Sequence, residues 1–190
     1  LPLDKHGATS HVHPVRETVA LLGGLPNGKG FPAPAALAVA LASGAVIRTP
    51  DSPYTTRVLV RRPQSAARFS GRVVVEMLNP SNQFDLNIGW AIHHDEIVRQ
   101  GDAWVGITAK PVAVATLKAF DPVRYASLDW SNPLAADDPK NCDVSGDTTK
   151  ATENGLVWDM HTEVAKWLRS TDASNPFRYG GSVSRADRLY

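Results

Sequence analysis

Two short apolar runs, separated by a helical pattern, dominate the middle of the chain. The first run, Val73 to Leu78, is rich in β-branched side chains, and the second, Ala103 to Ile107, contains neither charge nor proline. Between them a helical period extends from about Trp90 to Gln100 and ends at Gly101, where a helix C-terminus favours a residue that adopts positive φ. Strands that are apolar on both faces are typical of parallel sheets covered by helices. The pattern therefore predicts a strand–helix–strand crossover.

Other segments predict strands around this unit. Thr55 to Arg62 alternates between apolar and polar positions, which predicts a strand near the sheet edge that ends at Pro63. Ala36 to Val46 favours a strand, although its alanines are also compatible with a helix. A shorter strand is predicted at Glu17 to Leu22, and Ala186 to Tyr190 is predicted to form the first residues of another strand. The expected fold class is α/β, with a mixed, mostly parallel sheet flanked by helices.

The remainder of the chain predicts one more helix and one long connection. The helix covers Glu153 to Ser170, with Thr152 as its N-cap. His161 lies on its apolar stripe, which favours a packed histidine over a catalytic one. Residues 112–150 are expected to form a loop at the substrate entrance, since connections this long commonly cap or line a binding site.

The domain organisation is predicted to be simple. Residues 1–34, rich in glycine, proline and histidine, predict an amino-terminal arm, and residues 35–190 predict the amino-terminal part of a single domain. A chain of 190 residues is long enough to bury a sizeable core.

Composition excludes several classes of partner. The 20 basic and 19 acidic residues leave a formal charge of +1, which gives no indication of nucleic-acid binding. No apolar run approaches the ~20 residues that span a bilayer, so no membrane partner is expected. The single cysteine, Cys142, cannot form an internal disulfide, and whether it pairs with a cysteine elsewhere stays open. The chain begins at Leu1, which leaves its localisation open, including a secreted or periplasmic one.

Histidines offer the only candidate metal ligands in the sequence. His11 and His13 would share one face of a strand, and His93 and Glu96 would share one face of a helix. Because no cysteine or carboxylate cluster completes either pair, exposed polar residues are the favoured interpretation, and no metal or cofactor is predicted. The sequence also contains no Gly-x-Ser-x-Gly turn and no glycine-rich phosphate loop.

Several blocks of sequence, in this order and spacing, resemble a bacterial branch of the α/β-hydrolase fold. They are Pro53 to Pro63, Val73 to Asn79, Asp102 to Ala109 and Leu117 to Tyr125. The resemblance extends from about Ser43 to the last residue. It implies that the first three blocks contain an antiparallel strand, the third strand and the fourth strand of the fold, and that the chain ends before the turn that carries the nucleophilic serine.

The resemblance implies a serine hydrolase that cleaves a carboxylic ester or a related acyl bond. Its oxyanion hole takes one backbone N–H from the loop after the third strand, which is residues 79–82 here. Pro80 has no N–H, so Asn79 is the first candidate donor and Ser81 the second. The nucleophile, the acid and the histidine would follow in that order beyond Tyr190. Phe120 and Trp130, in the long connection, are the candidate substrate contacts.

The expected partners are a small ester-like substrate and the remainder of the domain, as a second chain or segment. The second expectation follows because Ala186 to Tyr190 is too short for a complete central strand. Two alternatives stay open. One is a non-catalytic α/β module that binds a small ligand or a partner chain at the same sheet edge, and the other is a metal enzyme that uses His11, His13 and His93.

Overall fold

The computed structural model describes residues 53–139, 141, 150–153 and 155–190, together with the backbone of residues 15–23. The predictions for Ala36 to Val46, His11, His13 and Cys142 lie outside the described residues. The division into an arm, 1–34, and a domain, 35–190, stays a prediction.

The described strands form one five-stranded sheet with the order β1-β2-β4-β3-β5. Their bounds are β1, Val15–Gly23; β2, Thr55–Pro63; β3, Arg72–Met77; β4, Ala103–Ile107; and β5, Arg188–Leu189. β2 is antiparallel to both β1 and β4, whereas β3 is parallel to both β4 and β5. Among these strands β2 therefore runs opposite to the rest, and the predicted mixed, mostly parallel sheet is confirmed.

Three α-helices accompany the sheet in the described residues: α1, Ile88–Arg99; α2, Pro111–Phe120; and α3, Leu156–Arg169. The predicted crossover is confirmed, because α1 connects β3 to β4 and the two strands pair in parallel from Val73 opposite Ala103 to Met77 opposite Ile107. Gly101 has φ +71°, the left-handed conformation that was predicted for the end of this helix.

The sheet is covered on both faces because β2 and β4 present apolar side chains to both. On one face Val58, Val60, Val105 and Ile107 pack with α3 residues such as Leu168. On the opposite face Trp104 packs with Leu78 and Ile97, the latter from α1. Every residue of β4 is buried, since the strand has neighbours along both edges and on both faces. This burial on both faces explains the unbroken apolar run from which β4 was predicted.

The long connection after β4 was predicted as a loop throughout, which is wrong for its first ten residues. It begins with α2, in which Pro111 occupies the first turn, where a missing N–H costs nothing. The proline at the start and the short apolar stretch concealed a helix of about three turns.

The predicted start of α3 was also wrong. The helix begins at Leu156 with Gly155 at the N-cap position. Thr152, the expected cap, instead lies in an isolated β-bridge with Ser131. His161 is half-buried, and its Nδ1 lies 2.7 Å from the carbonyl oxygen of Val157, which agrees with a packed histidine.

The outer strands of the described sheet, β1 and β5, differ in how far they pair with their neighbours. β1 pairs with the whole length of β2, from Val15 opposite Pro63 to Gly23 opposite Thr55, so β2 lies one strand in from the edge. β5 pairs with β3 only at Arg188 and Leu189, and this confirms the strand that was predicted to begin near Ala186. None of the helices in the described residues is long and apolar enough to cross a membrane.

Substituting Gly101 with alanine is expected to lower the free energy of unfolding by about 3 kcal/mol or more. A Cβ at this position would overlap the carbonyl oxygen of Arg68, and this overlap adds to a left-handed backbone cost of about 1–2 kcal/mol. Gly180 is the matched control, because it has φ +81° but open space around its Cα. Gly180→Ala should therefore lower the free energy of unfolding only by the cost of the left-handed backbone. Urea denaturation measures both variants. Equal losses for the two variants would contradict the close approach at Gly101.

Candidate active site

The loop after β3, residues 79–87 (the β3 loop), lies where the carboxyl ends of β3 and β4 meet the amino end of β2. Its ends are held by two mutual backbone hydrogen bonds, from Asn79 N–H to Leu86 O at 3.0 Å and from Leu86 N–H to Asn79 O at 2.9 Å. Inside the loop, Gln83 N–H donates to Pro80 O at 2.8 Å and closes a turn. The loop is therefore a closed structure at the sheet edge where open α/β sheets place ligands.

A buried ion pair fixes the β3 loop to the sheet. Arg57 on β2 binds Asp85 with an Nη2–Oδ2 distance of 2.6 Å, and the two side chains are only 12% and 3% exposed. Thr108, directly after β4, donates its hydroxyl to the same Asp85 oxygen and accepts a bond of 3.2 Å from Arg57 Nε–H. Three segments that are distant in sequence are thus connected through one carboxylate.

The burial of this pair makes its geometry costly to change. Removing one partner of a buried ion pair leaves an uncompensated charge in a poorly solvated place, which typically costs about 3–5 kcal/mol. The other oxygen of Asp85, Oδ1, is buried and accepts no hydrogen bond within the described residues. One acceptor at the site is therefore left for a donor from outside those residues.

A second carboxylate, Glu76, fixes the other end of the loop. It accepts hydrogen bonds from the backbone N–H groups of Gly89 and Trp90, at 2.7 and 3.0 Å, and from Trp104 Nε1–H at 2.7 Å. A negative charge at the first turn of α1 also complements the helix dipole. A Cβ at Gly89 would lie 2.8 Å from Glu76 Oε2, so glycine allows this close approach. Glu76 therefore determines where α1 begins and where the β3 loop ends.

The two candidate oxyanion donors have different surroundings. The N–H of Asn79 donates to the carbonyl of Leu86 as one half of the backbone pair that closes the loop. The N–H of Ser81 donates to a side chain, Asn79 Oδ1, at 2.8 Å. Ser81 is exposed, whereas Asn79 is half-buried. Both donors are occupied, but only the partner of Ser81 can move by rotation of a side chain.

The structure separates the two predicted substrate contacts. Phe120, at the end of α2, is 81% exposed, whereas Trp130 is 2% exposed and packs with Tyr54, Val114 and Leu128. One turn before Phe120 on α2, Thr116 donates its hydroxyl to the carbonyl of Gln83 in the β3 loop at 2.5 Å. Phe120 therefore lies on a helix that touches the loop, while Trp130 belongs to the core in the described structure.

Residues that the sequence analysis missed form most of this site. In the sequence pattern Arg57 is only one of the polar positions between Thr55 and Arg62, and neither Asp85 nor Thr108 belongs to a recognisable motif. The sequence carries one usable signal, which is position: Thr108 directly follows the predicted strand Ala103 to Ile107, and Asp85 lies in the connection after the predicted strand Val73 to Leu78.

A group of acids lies close to the amino end of β2. Tyr54 donates its hydroxyl to Glu163 on α3, and burial together with this bond raises the pKa of Tyr54 above its ordinary value. Burial and the charge of Glu163 raise the pKa of Asp159 in the same way. These side chains contribute negative charge and a neutral phenol, but no nucleophile.

The histidine and carboxylate pair on α1 lies on an exposed face of the helix. His93 and Glu96 are exposed, and Glu96 is bound by Arg99 and by Gln100 Nε2 at 2.7 Å. His94 lies near Trp90, with ring centroids 5.8 Å apart. Within the part of the chain that the structure describes, no group of three metal-ligating side chains comes together.

Comparison with known proteins agrees with this architecture. A family model described as an alpha/beta hydrolase domain matches residues 33–186. The match covers most of the chain, so the chain belongs to the α/β-hydrolase domain family. No curated protein and no solved structure matches it.

Substituting Asp85 with asparagine is expected to lower the free energy of unfolding by about 3 kcal/mol, because it leaves the buried guanidinium of Arg57 without its counter-charge. The double variant Arg57→Met, Asp85→Asn should recover part of this loss, since it removes both charges. The matched control is Glu96→Gln, which breaks the exposed pair with Arg99 and should cost at most about 0.5 kcal/mol. Urea denaturation measures all three, and an Asp85→Asn variant as stable as the control would contradict the anchoring role.

Proposed function

We propose that this chain is part of a serine hydrolase that cleaves a carboxylic ester or a related acyl bond. Membership of the α/β-hydrolase domain family supports hydrolase-type activity. The observation that supports the finer assignment is the β3 loop, which the buried Arg57–Asp85–Thr108 network fixes at the carboxyl edge of the sheet. A rigid loop with backbone N–H groups at that edge suits the stabilisation of a developing oxyanion, because fixed donors need no reorganisation during the reaction.

Ser81 is the better oxyanion donor of the two candidates. Freeing the N–H of Asn79 would break the backbone pair with Leu86 that closes the loop. Freeing the N–H of Ser81 requires only that the side chain of Asn79 rotates away. Since an oxyanion is a stronger acceptor than a neutral amide oxygen, it would displace that side chain. In the absence of substrate, the side chain of Asn79 accepts the hydrogen bond and keeps the N–H of Ser81 oriented.

The catalytic triad in this proposal comes from residues outside the chain. Among the described residues, no serine hydroxyl donates to a histidine ring; Ser70, Ser81 and Ser174, for example, donate to Asp102, Asn79 and Asp172. His161 is engaged with the carbonyl of Val157 on its own helix. The contribution proposed for this chain is therefore the oxyanion loop and one wall of the pocket, while the remainder of the domain supplies the nucleophile, the acid and the base.

The proposed pocket wall is formed by α2. Its contact through Thr116 places the helix against the β3 loop, and Phe120 lies one turn further on with its ring exposed. An exposed aromatic side chain beside the loop suits an apolar acyl or alcohol group of an ester. Trp130 contributes indirectly by packing beneath this region with Leu117, another α2 residue, in the same cluster.

A non-catalytic module that binds a small ligand at the same edge is the second candidate. It is favoured by the unpartnered Asp85 Oδ1, which would accept a hydrogen bond from a ligand without any chemistry. In such a module the loop would have the same anchoring but no catalytic consequence.

A fluorophosphonate probe distinguishes these two functions. Treatment of the full-length source protein should label one serine covalently, and the labelled residue should lie outside residues 1–190. Pre-incubation at a pH where histidine is protonated should slow the labelling, because the base that activates the serine is then unavailable. Absence of labelling in folded protein would favour the binding module, and a label within this chain would overturn the assignment of the nucleophile.

The variant Ser81→Pro tests the oxyanion donor. It removes the N–H but keeps the turn, since proline is favoured at the second position of the turn from Pro80 to Gln83. We expect kcat for ester hydrolysis to fall ~100-fold or more, with a much smaller change in KM.

The matched control is Ser81→Ala, which removes the hydroxyl and keeps the N–H, and it should retain turnover within a few-fold of the original. Asn79→Pro would lower turnover as well, but with a loss of stability from the broken pair with Leu86. Normal kcat in a folded Ser81→Pro enzyme would remove Ser81 from the role.

A further inference from the structure

A groove lies at the edge of the sheet opposite to the β3 loop. It is lined by the end of β2 and by residues 173–181, which connect α3 to β5, and its volume is about 510 Å³. The side chains that give it chemical character are Arg62, Gln64, Ser174, Arg178 and Tyr179. A volume of this size is in the range of small-molecule sites.

The side chain that distinguishes this groove is Arg62, which is only 8% exposed. Its guanidinium lies over the ring of Tyr179, 4.1 Å from the ring centroid. Its Nη1–H group reaches the carbonyl of Pro63 at a long 3.4 Å, and its Nε is buried without an acceptor. Within the described part of the chain, no carboxylate pairs with Arg62. A buried, always charged guanidinium with so few acceptors is costly unless something else supplies them.

The rest of the groove adds positive charge and donors. Arg178 is held in place by hydrogen bonds from Nε–H to Gly181 O at 2.7 Å and from Nη1–H to Thr171 O at 2.9 Å. Burial raises the pKa of Tyr179 although the neighbouring Arg62 lowers it, and the neutral phenol, which donates to Pro63 O at 3.0 Å, does not balance the charge of Arg62. One acid beside this region, Asp172, accepts from the N–H and hydroxyl of Ser174, at 2.7 and 2.6 Å, and interacts with Arg178. The described residues that line the groove therefore include two arginines and no carboxylate.

We propose that this groove binds a small ligand through an oxyanion group, a carboxylate or a phosphate, with Arg62 as the buried anchor and Arg178 at the rim. The planar guanidinium donates to either group in a fixed geometry, and its stacking on Tyr179 limits the rotation that binding would otherwise restrict. The site lies at the amino ends of the parallel strands, whereas the β3 loop lies at their carboxyl ends. It is thus a separate site, and its occupancy does not depend on the proposed hydrolase activity.

Thermal unfolding of the full-length protein with sodium phosphate or sodium succinate, at an ionic strength matched with sodium chloride, tests this proposal. At a ligand concentration about tenfold above Kd, we expect Tm to rise by about 3–5 °C relative to chloride. A rise with phosphate alone or with succinate alone identifies the preferred group, and a rise with both indicates a general oxyanion site. Equal Tm values in all three salts would overturn the proposal.

Two variants and a control locate the binding. Gln64→Glu places a negative charge at the exposed rim without touching the buried arginine, and it should weaken binding at least tenfold while leaving Tm in chloride nearly unchanged. Arg62→Lys keeps the charge but removes the planar fork, and it should weaken binding as well. Arg124→Gln removes an exposed cation that does not line the groove. Its Tm should rise with the ligand as much as that of the original protein. A normal response in both Gln64→Glu and Arg62→Lys would place the anion elsewhere.

Discussion

The arrangement at the candidate site depends on one buried carboxylate, Asp85. It binds Arg57 from β2 and Thr108 from the end of β4. The loop that follows β3 is therefore attached to both β2 and β4. Without this attachment the loop would keep its own closure between Asn79 and Leu86, the contact of Glu76 at its end and the bond from Thr116 of α2. Breaking the Arg57–Asp85 ion pair costs much stability, whereas forming it adds little net free energy of folding. The ion pair is therefore better suited to fix a geometry than to stabilise a fold.

The sheet order explains why these residues can meet at all. Because β4 lies between β2 and β3 and runs parallel to β3, the carboxyl ends of β3 and β4 and the amino end of β2 share one edge. Helix α1 is fixed at that edge by Glu76, and α2 touches the loop through Thr116. At the opposite side lie the carboxyl end of β2 and the amino ends of β3 and β4, and there Arg62 is buried beside Tyr179. Two separate sets of polar residues therefore result from one topology.

Much of the fold could be predicted from the sequence because its central strands are apolar on both faces. The runs at β3 and β4 and the glycine after α1 gave bounds within one or two residues. Helix α2 was missed because it is short and begins with proline, and α3 was started too early because Thr152 resembles an N-cap but is used in a bridge with Ser131. Local patterns predict helices and strands well, and they fail where a tertiary contact engages the residue in a different structure.

The site could be predicted only in part for the same reason. The position of the β3 loop followed from the end of a strand, but the pairing of Arg57 with Asp85 joins residues 28 positions apart and leaves no local trace. Similarly, the partners of Asn79 and Ser81 depend on how the loop closes, so the order of the two candidates could not be settled from residue types. The resemblance to α/β-hydrolases is the source of the role that we propose for the loop, and the structure supplies the contacts that hold it.

The most direct test of the central assignment is a crystal structure of the full-length protein after reaction with a fluorophosphonate. The phosphonyl oxygen of the adduct mimics the oxyanion of an acyl-transfer intermediate. We predict that this oxygen lies within about 3 Å of the backbone nitrogen of Ser81, with the side chain of Asn79 rotated away and the contacts of Asp85 unchanged. An adduct whose oxygen is bound elsewhere, with the β3 loop still closed by Asn79 and Leu86, would contradict the oxyanion role of Ser81.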